Sequence, residues 1–204
     1  MNAAFPEKTM TRAKHLLAGA LALLSSLAAT AAPYNTTSDG ADAQLMLRGH
    51  DPVAYFTIGR HLAGKPDIKA DHDGVTYRFA NEENKAMFLK EPAKYVPQYG
   101  GFCSNGIVYG IPWGGEPDTW QMIDGKVYIF GGTGSMRYFL MDEKRNVDLA
   151  NRYWKDEIEG GGAFLQRYKR LVFRVPHYKT GAELEAEWQA KQSGKPPVEN
   201  APAR

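Results

Sequence analysis

One cysteine, Cys103, stands alone in 204 residues. That excludes an internal disulfide framework and any C-x-x-C metal or redox pair. Stability must come from packing. Long apolar runs are equally scarce. The run Leu16 to Ala29 is 14 residues long, short of the roughly 20 that a spanning helix needs, and nothing after it comes near that length. Dinucleotide and Walker fingerprints are missing as well: Phe130-Gly131-Gly132-Thr133-Gly134-Ser135 lacks both spacings and reads as a turn before a helical Met136 to Met141. His50, His61, His72 and His177 are scattered singly, without H-x-x-x-H spacing.

What is there begins with a targeting pattern. Lys8, Arg12 and Lys14 precede the apolar run, and Ala29-Thr30-Ala31 supplies small residues at the positions a signal peptidase reads. Residues 1–31 are expected to be a cleavable signal peptide, the product being soluble and periplasmic or secreted. Neither an Arg-Arg pair nor a lipid-bearing cysteine accompanies the run. Without residues 1–31 the chain holds 22 basic and 22 acidic residues. A near-neutral balance with no clustered stripe predicts no electrostatic footprint for nucleic acid or an anionic surface. No stable membrane insertion is expected after cleavage.

Residues 32–44 are small and polar and read as a flexible leader; the folded domain spans 45–192, and 193–204 read as a disordered tail. Val53 to Thr57 has strand composition. Asp73-Gly74 and Asp124-Gly125 each sit between β-prone runs and predict two hairpins, because glycine takes positive φ without steric cost. Asn81 predicts the cap of a helix from Glu82 to about Lys90, with Met87 and Phe88 inward, and Pro92 opens a short turn. Val147, Ala150, Trp154 and Ile158 recur at helical steps, Gly160 to Gly162 end that helix, and Phe164, Leu165, Tyr168 and Leu171 mark another. Thr180 and Glu183 form a capping box for a last helix. The expected fold class is α+β: a small twisted antiparallel sheet of two hairpins packed by helices, with a helical C-terminal extension.

The strings Gly49-His50-Asp51-Pro52-Val53-Ala54-Tyr55-Phe56, Asp73-Gly74-Val75-Thr76-Tyr77-Arg78-Phe79-Ala80, Glu82 to Leu89, Pro92-Ala93-Lys94-Tyr95 and Tyr99-Gly100-Gly101-Phe102-Cys103 occur in that order. Over residues 45–105 this resembles the YHS domain in its exported form. The resemblance implies a small twisted sheet packed by one helix. Metal-linked members carry cysteine after Asp-Pro-Val and a pair of cysteines at the strand-to-helix junction. Here Ala54, Ala80 and Asn84 stand at those places, and none supplies a thiolate, so the domain is expected to fold without a structural metal.

The glycine- and aromatic-rich stretch 99–115 is the expected ligand or partner region, with Tyr99, Gly100, Gly101, Phe102, Cys103 and Trp113 as its candidate binding residues. The reading favoured is an exported YHS-like binding or accessory protein without its own catalytic chemistry, whose partner is a small ligand or another exported protein. Two alternatives use Cys103: a periplasmic soft-metal carrier holding copper with methionine and histidine, and a small thiol-dependent enzyme or redox protein.

Overall fold

The computed structural model describes residues 34–194; the expected signal peptide and residues 195–204 of the tail lie outside them. The described residues open with strands β1 (Thr36–Asp39) and β2 (Asp42–Met46), which take up most of the stretch read as a flexible leader. That expectation is corrected. Small polar side chains give no alternating signal, and distant partners hold these strands instead. The Asn35 amide N–H donates to Gly100 O at 2.8 Å, and its side-chain amide reaches Gly101 O and Gly115 O, each at 3.1 Å. Arg78 donates to Asp39 and Asp42 at 2.6 to 2.9 Å.

Val53 to Thr57 is also not a strand. Asp51 Oδ1 accepts from the Val53 N–H at 2.8 Å, and the chain turns into a one-turn helix, α1 (Ala54–Thr57). A side chain bonding to backbone two residues ahead offers an alternative to a ladder, and here it overrides the strand propensity. Tyr55 is buried and donates to Pro117 O at 2.7 Å.

Both hairpins form where expected. β3 (Lys65–His72) and β4 (Val75–Phe79) turn at Asp73 (φ 50°) and Gly74 (φ 76°). β5 (Glu116–Ile123) and β6 (Lys126–Phe130) turn at Asp124 (φ 48°) and Gly125 (φ 70°). Two successive positive φ values match the right-handed twist of the flanking strands. The first sheet has the order β1-β2-β4-β3 and is mixed, because β2 runs parallel to β4 through the Leu45–Thr76 pair. β5 and β6 make a separate two-stranded sheet. The class is α+β, with the purely antiparallel sheet corrected to a mixed one.

Asn81 caps α2 (Glu82–Lys90) by accepting from the Asn84 N–H at 2.8 Å, and Pro92 opens α3 (Pro92–Tyr95). A short α4 (Ser104–Ile107) lies in the glycine-rich loop. After β6 come α5 (Thr133–Leu140), α6 (Glu143–Tyr153) with a wider π turn at Trp154–Ile158, α7 (Ala163–Val172) and α8 (Gly181–Gln192). The Thr180–Glu183 capping box of α8 is present.

Strand β6 is buried on both faces and divides the interior. Val127 and Ile129 pack with Val75, Tyr77, Phe79 and Phe88 on the side of the larger sheet. Tyr128 and Phe130 pack with Phe102, Ile107, Phe139 and Ile158 on the helical side. Period-two alternation sends neighbouring side chains to opposite faces, so one hairpin supplies both cores.

Helix α7 departs from the usual pattern. Phe164, Leu165 and Tyr168 are 76%, 72% and 67% exposed, while Gln166 is buried. Gln166 donates to Gly110 O at 3.1 Å, and Arg167 donates to Pro112 O at 2.6 Å. The polar side docks on the domain and the apolar side faces outward. No helix among the described residues is long and apolar enough to cross a membrane.

Candidate functional site

The loop after α3 folds back on itself before reaching β5. Cys103 N–H donates to Trp113 O at 2.8 Å, Ile111 N–H to Gly106 O at 3.0 Å, and Ser104 Oγ anchors the turn by donating to Ile129 O at 2.9 Å. The crossing demands glycine at position 106, where a Cβ would lie 2.5 Å from Ile111 O and 2.9 Å from Trp113 Cδ1.

Between this loop, the start of α5 and the start of α8 lies a cavity of about 430 Å3, walled by Cys103, Tyr109, Ile111, Trp113, Tyr138 and Tyr178, with Asn105, Ser135 and Lys179 as polar members. Cys103 is only 3% exposed, and Gly131 lies over it, its would-be Cβ 3.6 Å from Cys103 Sγ.

Asn105 is 9% exposed as a residue, and its side-chain amide, which no other described residue holds by a hydrogen bond, is still reached by solvent in the cavity. Two neighbouring polar groups are engaged elsewhere. Tyr138 donates to Glu185 Oε2 at 2.7 Å, a bond that raises the phenol's pKa, and Lys179 pairs with Glu187. Tyr109 stacks on His177 with ring centroids 5.7 Å apart, and burial pushes its phenol up to about 12. It stays neutral across the physiological range.

The expected binding residues divide. Cys103 and Trp113 meet in this cavity, but Tyr99 and Gly100 face a separate groove of about 330 Å3 with Tyr34, Pro97 and Trp154. The cause is the run of left-handed residues Tyr99 (φ 55°), Gly100 (φ 57°) and Gly101 (φ 77°), which reverses the chain between the two. Gly101 and Phe102 are buried and line neither. Sequence reasoning missed Asn105, which lay inside the stretch it had marked, and Ser135, Tyr138, Tyr178 and Lys179, which no local signal joins to it. A third depression of about 490 Å3 lies along α6, but its walls are exposed charged side chains that partly pair with one another, Lys144 with Asp148 at 2.9 Å.

Neither histidine nor methionine lines the cavity with Cys103. Among the described residues no group of three or more His, Cys, Asp or Glu is placed to hold a metal ion. His50 and His61 pack edge to face, and His177 Nε2 lies 2.9 Å from Val108 O.

A second constellation is structural. The fully buried Asp51 gathers positions 54, 80 and 84: its backbone carbonyl accepts from the Ala54 N–H at 3.3 Å, and its Oδ2 accepts from the Ala80 N–H at 2.8 Å and from Asn84 Nδ2 at 2.6 Å.

Compared with protein-family models, with curated proteins and with solved structures, the chain matches none of them.

Proposed function

We propose that this is an exported, YHS-like binding protein that holds a small organic ligand in the Cys103–Trp113 cavity and performs no covalent chemistry on it. The Asn105 amide, which lines the aromatic cavity and is held by no other side chain among the described residues, carries the reading. Pockets that take small molecules combine apolar and aromatic walls with a few polar groups that fix orientation. Tyr109, Trp113, Tyr138 and Tyr178 supply the walls, and Asn105 offers both a donor and an acceptor. The ligand class is a flat or compact molecule bearing an amide, carboxyl or heterocyclic edge.

The thiol-enzyme reading has less behind it. The cavity brings no histidine or carboxylate to Cys103, and its lysine is held by Glu187; a nucleophilic thiol needs such a base or cation. The copper reading needs soft or imidazole co-ligands that the cavity walls do not include. The convergence of positions 54, 80 and 84 on Asp51 supports the YHS-like scaffold, with hydrogen bonds standing where thiolates would.

The test is native purification, followed by denaturation and mass and elemental analysis of what is released, with thermal shifts against a panel of small amides, carboxylates and heterocycles. A ligand binding only the folded state raises the melting temperature. The expected result is an organic molecule, or a stabilising panel member, whose effect Asn105→Ala abolishes. A stoichiometric metal, or no molecule and no shift, overturns the proposal.

A further inference from the structure

Helix α7 is an amphipathic helix mounted with its apolar stripe outward. Phe164, Leu165, Tyr168, Leu171 and Val172 fall at the i, i+1, i+4, i+7 and i+8 positions of one face, Phe173 continues them, and all six are exposed. The mounting is built through hydrogen bonds. Besides the Gln166 and Arg167 bonds to the loop, Arg170 and Lys169 both pair with Glu157, and Arg167 lies over the Trp113 ring at 5.2 Å. Phe164, Tyr168 and Phe173 are each more than two thirds exposed. An aromatic side chain carries about 150–250 Å2, so these three alone present on the order of 400 Å2. An exposed apolar patch of that size is often functional.

Charge decides the occupant. From Gly160 to Ala182 the chain holds no acidic residue and five basic ones: Arg167, Lys169, Arg170, Arg174 and Lys179. A near-zero total conceals this run, so the absence of an anionic-surface footprint expected from the whole-chain balance does not hold locally. Glu157 answers Arg170 and Lys169 together, and Glu187 answers Lys179. Arg174 stacks on Tyr178 at 4.5 Å, feels the Glu183 carboxylate, and stays exposed beside Phe173. A second copy would bring this acid-free run against itself. Aromatic and aliphatic side chains flanked by Arg and Lys suit the boundary of an anionic bilayer.

We propose that the outward stripe of α7 docks the protein on an anionic lipid surface, its apolar side chains entering the headgroup boundary and Lys169 and Arg174 lying at phosphate level. Docking of this kind is peripheral and needs no spanning helix. It is independent of what the cavity holds.

The experiment is co-sedimentation of the purified chain with vesicles of phosphatidylglycerol and phosphatidylethanolamine, and with vesicles of phosphatidylcholine alone. It compares wild type, the double variant Phe164→Ser/Leu171→Ser and Arg174→Gln. Circular dichroism checks the fold, and Tyr168→Ser serves should the double variant not fold. Wild type is expected on anionic vesicles, weakening as salt rises. Loss of two apolar anchors should weaken binding at least about tenfold, and Arg174→Gln should weaken it on anionic vesicles only. No wild-type binding, equal binding to both vesicle types, or equal binding by wild type and the stripe variants overturns the proposal. So does a dimer in sedimentation velocity that the double variant abolishes, since the stripe then belongs to a second copy.

Discussion

Asn84 Nδ2 donates to Asp51 Oδ2 at 2.6 Å in a site closed to solvent, joining the first turn of α2 to the loop before α1. The same oxygen accepts from Ala80 N–H, and the other oxygen from Val53 N–H. One carboxylate thus fixes the ends of three elements. Asp51→Ala leaves three donors without their acceptor and should cost about 3 kcal/mol or more, since stranding a buried polar group costs about 1–3 kcal/mol. Asn84→Ala removes one of the three bonds and should cost less. Chemical denaturation of both variants checks the order, and an Asp51→Ala midpoint near wild type would refute this role. Chelator should leave the wild-type melting temperature unchanged, because hydrogen bonds occupy this junction.

Cys103 is packed under Gly131. Cys103→Ser should keep the fold and cost on the order of 1 kcal/mol. Alkylation of the native thiol should be slow and should become complete on unfolding. Fast native labelling with an apparent pKa well below about 8.5 would instead point to an activated thiolate.

Glycine is required at 115 and dispensable at 162. A Cβ on Gly115 would lie 2.4 Å from Gly101 O and 2.7 Å from Ile129 Cγ2, both inside the packed centre. Gly115→Ala should destabilise by about 1–3 kcal/mol, the scale of overpacking. At Gly162 no heavy atom lies within 4 Å of the added carbon, and Gly162→Ala should stay within about 0.5 kcal/mol. Thermal melts of the two variants test the contrast.

Acid should weaken the fold through two carboxylates. Bonds from Lys69 and Arg78 hold Asp42 below its ordinary 3.8. For Glu157, burial pushes upward, but the bonds from Arg170 and Gln166 prevail and hold it below 4.5. Depressed folded-state values mean that the contribution is fully present above the ordinary values and is lost as pH falls through the folded ones. Stability measured from pH 6 downward should therefore decline below about 4. Asp42→Asn and Glu157→Gln should each start lower and decline less steeply; slopes equal to wild type would show that other groups govern the acid limb.

Local chemistry was legible where one or two residues settle a conformation. Asp73-Gly74 and Asp124-Gly125 announce their turns, and Asn81 and Thr180 announce their helix starts. β1 and β2 were not legible, because polar strands of four and five residues depend on Asn35 and Arg78 meeting partners far along the chain. The spacing of Phe164, Leu165, Tyr168 and Leu171 revealed a helix but not its facing, since periodicity records a stripe and not what covers it. Cys103 and Trp113 were found together in one cavity, whereas Tyr99 was turned aside by its own left-handed backbone. Ser135, Tyr138 and Tyr178 reach that cavity only through tertiary packing.

The bonds from Asn35 to Gly101 and Gly115 span 66 and 80 residues. A ribosome adding about 5–20 residues per second makes Asn35 roughly four to sixteen seconds before Gly115. Throughout that interval β1 and β2 lack the carbonyls that anchor their start, and β2 awaits β4 as its parallel neighbour. The N-terminal edge of the sheet is thus made first and secured late, which leaves that part of the nascent chain available to chaperones until the 99–115 loop has been made.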